Sequence, residues 1–311
     1  MAEPFPFDFY TIPVRDWIDD LTKWLVDNLD VVFDVIEWPI DKVLYGIEDF
    51  LMWLPPLAFL AILCVVAWRI ASWKVSISST AGFALIGFLG WSFWAYLMTT
   101  LAVIFTAVVF CAAVGIPLGI IAARSNRFES TMRPVLDAMQ TIPPFVYLVP
   151  VVMLFGIKLV PATIATIIFS MPPIIRLTNL GIRQVDVELV EAAYAFGSTP
   201  WQVLKEVQIP LAVRTIMAGL NQTLMLALSM VVIAALIGAR TFGEPIVRGL
   251  NNLEIGLGAS AGIAVVILAI ALDRITQALG KPAKADRKSL LGYAKDFGRF
   301  LMQSQKTKEG R

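Results

Sequence analysis

Histidine is absent from all 311 residues. Without it the chain lacks the commonest metal ligand and the commonest proton shuttle near neutral pH. Cysteine occurs only as Cys64 and Cys111, both inside apolar runs, so neither a disulfide framework nor a thiolate metal site is supported. The phosphate-cradling patterns GxxxxGK[ST] and strand-GxGxxG are missing as well. The chain therefore carries no recognisable nucleotide-hydrolysis site, and any work drawn from ATP has to come from a partner. No cofactor and no nucleic acid is expected on this chain. A basic start, a short apolar core and a small-residue cleavage site are also lacking, so the amino-terminal segment reads as retained rather than cleaved.

Charge is scarce: 16% of residues are Asp, Glu, Lys or Arg against 58% hydrophobic, and the mean hydropathy is +0.75. Such a composition belongs in a lipid bilayer. Apolar runs, uncharged except for the Arg176 that closes the fourth, cover residues 50–68, 75–123, 138–157, 159–176, 215–239 and 255–272. A crossing takes about 20 residues, so the second run holds two and seven crossings are expected in an all-α, polytopic membrane protein. The break in the long run is expected near Trp91-Ser92-Phe93-Trp94-Ala95-Tyr96, where amphipathic aromatics favour the membrane boundary.

Lysine and arginine fix the expected orientation, since loops rich in them stay cytoplasmic. With the amino terminus outside, 19 of the 25 basic residues fall inside, including those around residues 187–210 and the tail from Arg274 to Arg311. The expected location is the inner (plasma) membrane, multi-pass, with the carboxyl terminus in the cytoplasm. The first 49 residues carry twelve acidic side chains against three basic ones. Within them Trp17, Leu21, Trp24, Leu25, Leu29, Val32, Val35 and Ile36 recur at helical spacing, which predicts an amphipathic helix over 17–38. It suits either the outer membrane boundary and the first span or an extracytoplasmic partner.

The runs are also poor in ionisable groups. Ion- and proton-coupled carriers commonly place such groups inside their helices. Here Asp137, Lys158, Glu254 and Asp273 all stand at run ends. The interior polar residues are neutral: Gln140, Thr141, Asn221, Gln222, Thr223 and Ser229. They can bond neighbouring helices or line a watery pathway. Prolines at 117, 143, 144, 150, 161, 172 and 173 kink the middle spans, and kinks at depth often line cavities. The pairs Gly115/Gly119 and Gly258/Gly262 allow close helix approach.

Between these runs lies a charged elbow, EAAYAFGSTPWQVLKEVQIP. A helix over 187–196 meets Gly197, which tolerates the left-handed conformation of a helix end. A second helix can begin at once, with Thr199 as N-cap, Pro200 as its first residue and Gln202 closing a capping box. The spacing EAA, three residues, Gly, nine residues, Ile-x-Leu-Pro is the signature of permease subunits of binding-protein-dependent ABC importers. The chain resembles them at Glu191, Ala192, Ala193, Gly197, Val207, Ile209 and Pro210, with Val207 for Ile and Ile209 for Leu. The flanks MQTIPPFVYLVPVVMLFG (139–156), MPPIIRLTNLGIRQV (171–185), NQTLMLALSMVVIAALIGA (221–239) and AGIAVVILAIALDRITQAL (261–279) are similar to the glycine betaine, proline betaine and choline branch. The resemblance covers about 91–279. One departure is Arg240-Thr241-Phe242-Gly243, where that branch usually has a glycine-rich stretch.

The resemblance implies a type I ABC importer permease fold and a two-fold dimer of permease copies. It further implies two ATP-binding subunits, holding ATP and Mg, docked on the elbows, and an extracytoplasmic substrate-binding protein delivering the ligand. Residues 1–49 would form the acidic outer segment, 50–98 the first two spans, 99–273 the core with its coupling elbow at 187–210, and 274–311 a basic cytoplasmic tail. Betaines carry a methylated cation, which favours aromatic faces. Phe145 and Tyr147, beside Gln140 and Thr141 on one helix and Asn221, Gln222 and Met225 on another, are the candidate pathway lining. Two other readings stand beside this one, a secondary carrier for a small cation or zwitterion and a membrane scaffold without transport activity.

Overall fold

The computed structural model describes residues 13–280. The tail from 281 onward, most of the expected basic segment, lies outside the described residues, as do the first twelve. Every regular element among the described residues is helical.

The amino-terminal helix α1 is longer than the amphipathic pattern predicts, spanning Val14–Trp53 as two helical stretches joined across a kink at Leu29 (φ −119°, ψ 15°), with Pro39 inside the second. Its two halves differ. Trp17, Leu21 and Trp24 stay exposed, whereas Ile40, Leu44 and Leu51 are buried in the main core. The amino-terminal half thus leaves most of its apolar stripe uncovered among the described residues, with Leu25 and Leu29 half-buried. Leu54-Pro55 then turns the chain through 107° into α2 (Pro56–Ile70).

A short hairpin comes next. Ser72 caps α3 (Trp73–Phe88) through Val75 N–H, and the Ser76 hydroxyl donates to the Cys64 carbonyl at 2.6 Å, fastening α3 to α2. Gly90, at φ +115°, ends the hairpin. The break therefore falls immediately before the aromatic stretch expected to contain it, and Trp91 through Tyr96 open α4 (Trp91–Arg124), which runs unbroken through residue 98. At 1.5 Å per residue α4 is about 51 Å long, enough to stand out of both sides of a hydrocarbon layer of about 30 Å.

Around α4 pack α7 (Leu159–Ser170), α8 (Pro172–Arg183) and α11 (Ile209–Ala234). Between α4 and α7 lie α5 (Asn126–Thr141) and α6 (Pro144–Phe155), bent by 99° at Ile142-Pro143. The linker from α8 to α11 contains α9 (Val187–Ala195) and α10 (Pro200–Gln202). A short α12 (Gly243–Asn251) precedes the last span, α13 (Ile255–Leu279).

The hydropathy runs predict seven crossings; four helices are long and apolar enough alone, and six if each bent pair counts as one span. Proline accounts for the two bent pairs, and the shortness of α3, 16 residues, for the remaining crossing. Pro55-Pro56 and Pro143-Pro144 divide two runs that are continuous in hydropathy, because each ring removes a donor and crowds the preceding turn. The hairpin helices α2 and α3 hold only 15 and 16 residues. By contrast Leu159–Arg183 counts as one span despite Pro172, and 72% of its apolar window is buried by the rest of the chain. That span is the centre of the molecule rather than a lipid-facing rib.

Small residues set the closest approaches. A Cβ on Gly115 would stand 2.5 Å from Ile174 Cγ2, and one on Gly119 would stand 2.5 Å from Thr178 Cβ and 2.8 Å from the Ile175 carbonyl oxygen. The seam of α4 on α8 is thus built on both members of the expected pair. At Gly258/Gly262 the outcome is different: a Cβ on Gly262 meets nothing within 4 Å, whereas one on Gly249 would lie 2.6 Å from the Gly258 nitrogen. The tight contact there joins α12 to α13.

Candidate functional site

The elbow forms as its residues dictate. The carboxyl end of α9 closes with Gly197 N–H donating to the Tyr194 carbonyl at 2.9 Å and Ser198 N–H to the Ala193 carbonyl at 3.1 Å. These bonds require the left-handed Gly197, whose φ is +84°. Thr199 then caps α10: its hydroxyl accepts from Gln202 N–H at 3.4 Å, and the Gln202 side-chain oxygen accepts from Thr199 N–H at 2.8 Å. The capping box expected from the sequence is complete.

The segment after α10 was not legible in the sequence. Residues Val203–Gln208 form a π-helix, and Ile209 N–H reaches back five residues to the Leu204 carbonyl. Pro210 supplies a cause. It has no N–H for the carbonyl of Glu206 and its ring crowds that carbonyl, so the ladder before it widens to the next spacing.

This register divides the signature by burial. No residue of α9 is buried, with Glu191 and Ala192 exposed and Ala193 half-buried. Val203 and Leu204 are 1% and 0% exposed, Val207 and Ile209 are half-buried, and Ile209 packs on the main core. Pro210 is exposed as α11 begins. The Arg124 guanidinium donates to the Pro200 carbonyl at 3.0 Å, and that of Arg183 donates to the Ala122 carbonyl at 2.8 Å. One end of α4 thereby holds both the elbow and the end of α8. The elbow is a protruding helix on a rooted stem.

Its protruding part also presents apolar surface that sequence reasoning passed over. Phe196 is 91% exposed, and Leu189, Tyr194 and Trp201 are exposed too. The signal was present as aromatics within an otherwise polar, charged segment.

The pathway candidates fall into two groups. On α5 and α6, Gln140 and Phe145 are exposed, and the Thr141 hydroxyl donates to the Ala138 carbonyl in its own helix. The Tyr147 hydroxyl donates to the Met139 carbonyl at 2.6 Å across the proline bend, and its ring meets Phe169 edge-on at 6.1 Å. Tyr147 therefore braces the bend between α5 and α6. On α11, the Asn221 amide donates to an Asp273 carboxylate oxygen at 3.0 Å, and its oxygen accepts from the Thr276 hydroxyl. Gln277 donates to the same carboxylate, so Asn221 clasps α11 to α13. Gln222 is exposed, and Met225 is half-buried against the core.

In the segment Arg240-Thr241-Phe242-Gly243, Arg240 is exposed and the other three residues form a buried anchor. The Thr241 hydroxyl donates to the Val231 carbonyl at 3.0 Å, and Phe242 N–H donates to the Thr100 hydroxyl at 3.1 Å. Phe242 is fully buried beside Phe93 at 6.5 Å. A Cβ on Gly243 would collide with the Val232 carbonyl of α11. Nothing in the runs of the sequence marked Thr100 as the partner of this segment.

Residues 115–283 match the family described as binding-protein-dependent transport system inner membrane component. Among curated proteins, the chain is 46% identical over 280 residues to the glycine betaine/proline betaine transport system permease protein ProW of Escherichia coli, covering 90% of this chain and 78% of that one. It is likewise 46% identical over 284 residues to the glycine betaine/carnitine transport permease protein GbuB of Listeria monocytogenes, covering 89% and 98%. The similarity thus reaches well beyond residues 91–279. Among solved structures, inward-facing MetNI methionine ABC transporter matches with a TM-score of 0.51 at 23% identity, over 58% of this chain and 92% of that one, which supports the fold.

Proposed function

Because the chain belongs to the family of binding-protein-dependent transport system inner membrane components, we propose that it is the membrane-spanning permease subunit of an ATP-driven importer for betaine-type osmolytes, quaternary amines such as glycine betaine, proline betaine or choline. The single observation that carries the mechanism is the elbow: an unburied helix with exposed aromatics, turned by a left-handed glycine and rooted through a π-helix in α11. Exposed apolar side chains on a short charged helix suit a groove on another subunit. In this reading the elbow faces the cytoplasm and the amino terminus lies outside. A second copy of the chain completes the pore, each copy takes one ATP-binding subunit, and a soluble protein presents the ligand from outside.

Each part has a distinct chemical role. Glu191 offers a carboxylate to the groove, Ala192 and Ala193 let the helix sit close, and Gly197 keeps the turn sharp. Closure of the ATP-binding subunits moves the elbow, and the buried Val203-Leu204 pair passes that motion to α11. Because α11 packs along α8 and α4, the motion reaches the centre of the bundle. ATP and Mg act on the partner subunits, and this chain supplies the moving walls.

A substrate that is cationic at one end and anionic at the other needs no fixed ionic pore, consistent with uncharged span centres. The relatives named for glycine betaine support that class. The test is uptake of labelled glycine betaine into proteoliposomes holding the assembled transporter. Import should require ATP and the binding protein and persist when a protonophore collapses the proton gradient. Import abolished by the protonophore at constant ATP would establish a secondary carrier instead.

A further inference from the structure

At the end of the molecule opposite the elbow, a cavity of about 690 Å³ opens between α1, α4, the start of α7 and the approach to α12. Its chemistry is mixed. Tyr45 and Tyr96 bring aromatic faces, Glu48 and Glu244 bring carboxylates, and Lys158 and Arg240 bring cations. The carboxylates are held in place. Glu48 accepts a 2.7 Å hydrogen bond from the buried Thr99 hydroxyl, and Glu244 pairs with Arg248 at 2.5 Å while lying within electrostatic reach of Tyr96. The cations are not: among the described residues, the side chains of Lys158 and Arg240 make neither an ion pair nor a hydrogen bond, although both line the same cavity.

An assembly with fixed anions and aromatics beside two cations that lack an ion-pair or hydrogen-bond partner among the described residues is complementary to a compact zwitterion. A methylated ammonium is attracted to aromatic faces and to carboxylate, and a carboxylate is bound most strongly by charged donors. The volume lies within the range of small-molecule sites, about 300–1,000 Å³. We propose that this cavity is a second selection point, a binding site in the permease itself for quaternary-amine zwitterions. The ammonium would lie against Tyr45, Tyr96 and Glu48, and the carboxylate toward Lys158 and Arg240. The inference rests on the betaine-importer reading above and deepens it: ligand choice would be made twice, once by the soluble protein and once at this mouth.

The segment after Gly238 supports this placement. Burial of Thr241 and Phe242 fixes the backbone next to Arg240, so the guanidinium is delivered to the cavity from a rigid support.

The test uses the assembled transporter in proteoliposomes with labelled glycine betaine and a titration of loaded binding protein. Lys158→Gln combined with Arg240→Gln should lower the maximal uptake rate about tenfold, the loss expected for removing charge-assisted bonds. The binding-protein concentration giving half-maximal uptake should stay unchanged, and Lys158→Arg with Arg240→Lys should retain the rate. Tyr96→Leu should slow uptake where Tyr96→Phe, which keeps the ring face, does not. Unchanged maximal uptake in the double Gln variant would overturn the proposal. So would a raised half-maximal concentration with an unchanged maximal rate, since that result assigns the cavity to docking of the binding protein. Failure of the unmodified transporter to import glycine betaine would remove the substrate reading and this inference together, whereas failure confined to the variants' predicted losses removes this inference alone.

Discussion

In the seam between α4 and α8, a methyl group on Gly119 would stand 2.5 Å from Thr178 Cβ; in the elbow, one on Gly197 would meet nothing within 4 Å. The first glycine is there for space and the second for conformation, since only Gly197 has a positive φ, +84°. The seam is a packed solid in which any added atom must displace a neighbour. The elbow is an open structure held by backbone bonds and a cap. A transporter driven from outside the membrane needs both, a rigid body that transmits displacement and an exposed handle that receives it.

This contrast makes the two regions separable by mutation. The largest effect is expected in the seam. Gly119→Leu should cost about 3 kcal/mol or more through overpacking against a backbone carbonyl. Loss of assembled, detergent-stable protein on size exclusion would show it, and a folded variant with a native melting temperature would break the comparison. Asn221→Ala comes next, because it leaves Asp273 and Thr276 without their partner on α11. The expected loss is about 1–3 kcal/mol, read as a lower melting temperature.

Elbow variants should spare the fold. Thr199→Ala removes one half of the capping box and should cost about 1 kcal/mol, confined to the segment it caps. Hydrogen exchange should quicken over residues 200–208 and remain unchanged in α4 and α8; protection lost across the bundle would mean that the elbow is part of the core. The smallest stability change belongs to Phe145→Ala, at a side chain 58% exposed, within about 0.5 kcal/mol. If Phe145 lines the pathway, this variant alters the transport rate more than the apparent affinity for the binding protein. Identical transport would leave it a surface aromatic.

Much of this was legible in the residues. The EAA spacing, the Gly197 turn and the Thr199/Gln202 box are local, with all partners within a few positions, so the sequence specifies them directly. The Gly115/Gly119 seam could be anticipated for the same reason, since four-residue spacing places both on one helix face. The π-turn before Pro210 has a local cause in the proline itself, but a proline at a helix start is equally compatible with an ordinary first turn, so the residues do not single out the wider register. Hydropathy does not register the 99° bend at Ile142-Pro143, nor that α2 and α3 are only 15 and 16 residues long, so the runs mark the apolar segments but not how each helix is broken or how far it extends. Long-range pairings left no trace at all: Thr99 with Glu48, Thr100 with Phe242, and Asn221 with Asp273 lie 51, 142 and 52 positions apart. Asn221 illustrates the limit well, since a neutral polar residue in an apolar run suits a pathway and an inter-helix clasp equally, and only its bonded partner distinguishes them.

The most direct measurement is the number of ATP molecules hydrolysed per glycine betaine imported by the reconstituted transporter carrying Gly197→Val, a β-branched residue that the left-handed region strongly disfavours. Entry of force through the elbow predicts a correctly assembled variant that keeps hydrolysing ATP while import falls, so that the ratio rises about tenfold or more, corresponding to roughly 1.4 kcal/mol of lost coupling. A variant that assembles, hydrolyses and imports with the ratio of the unmodified protein would contradict it.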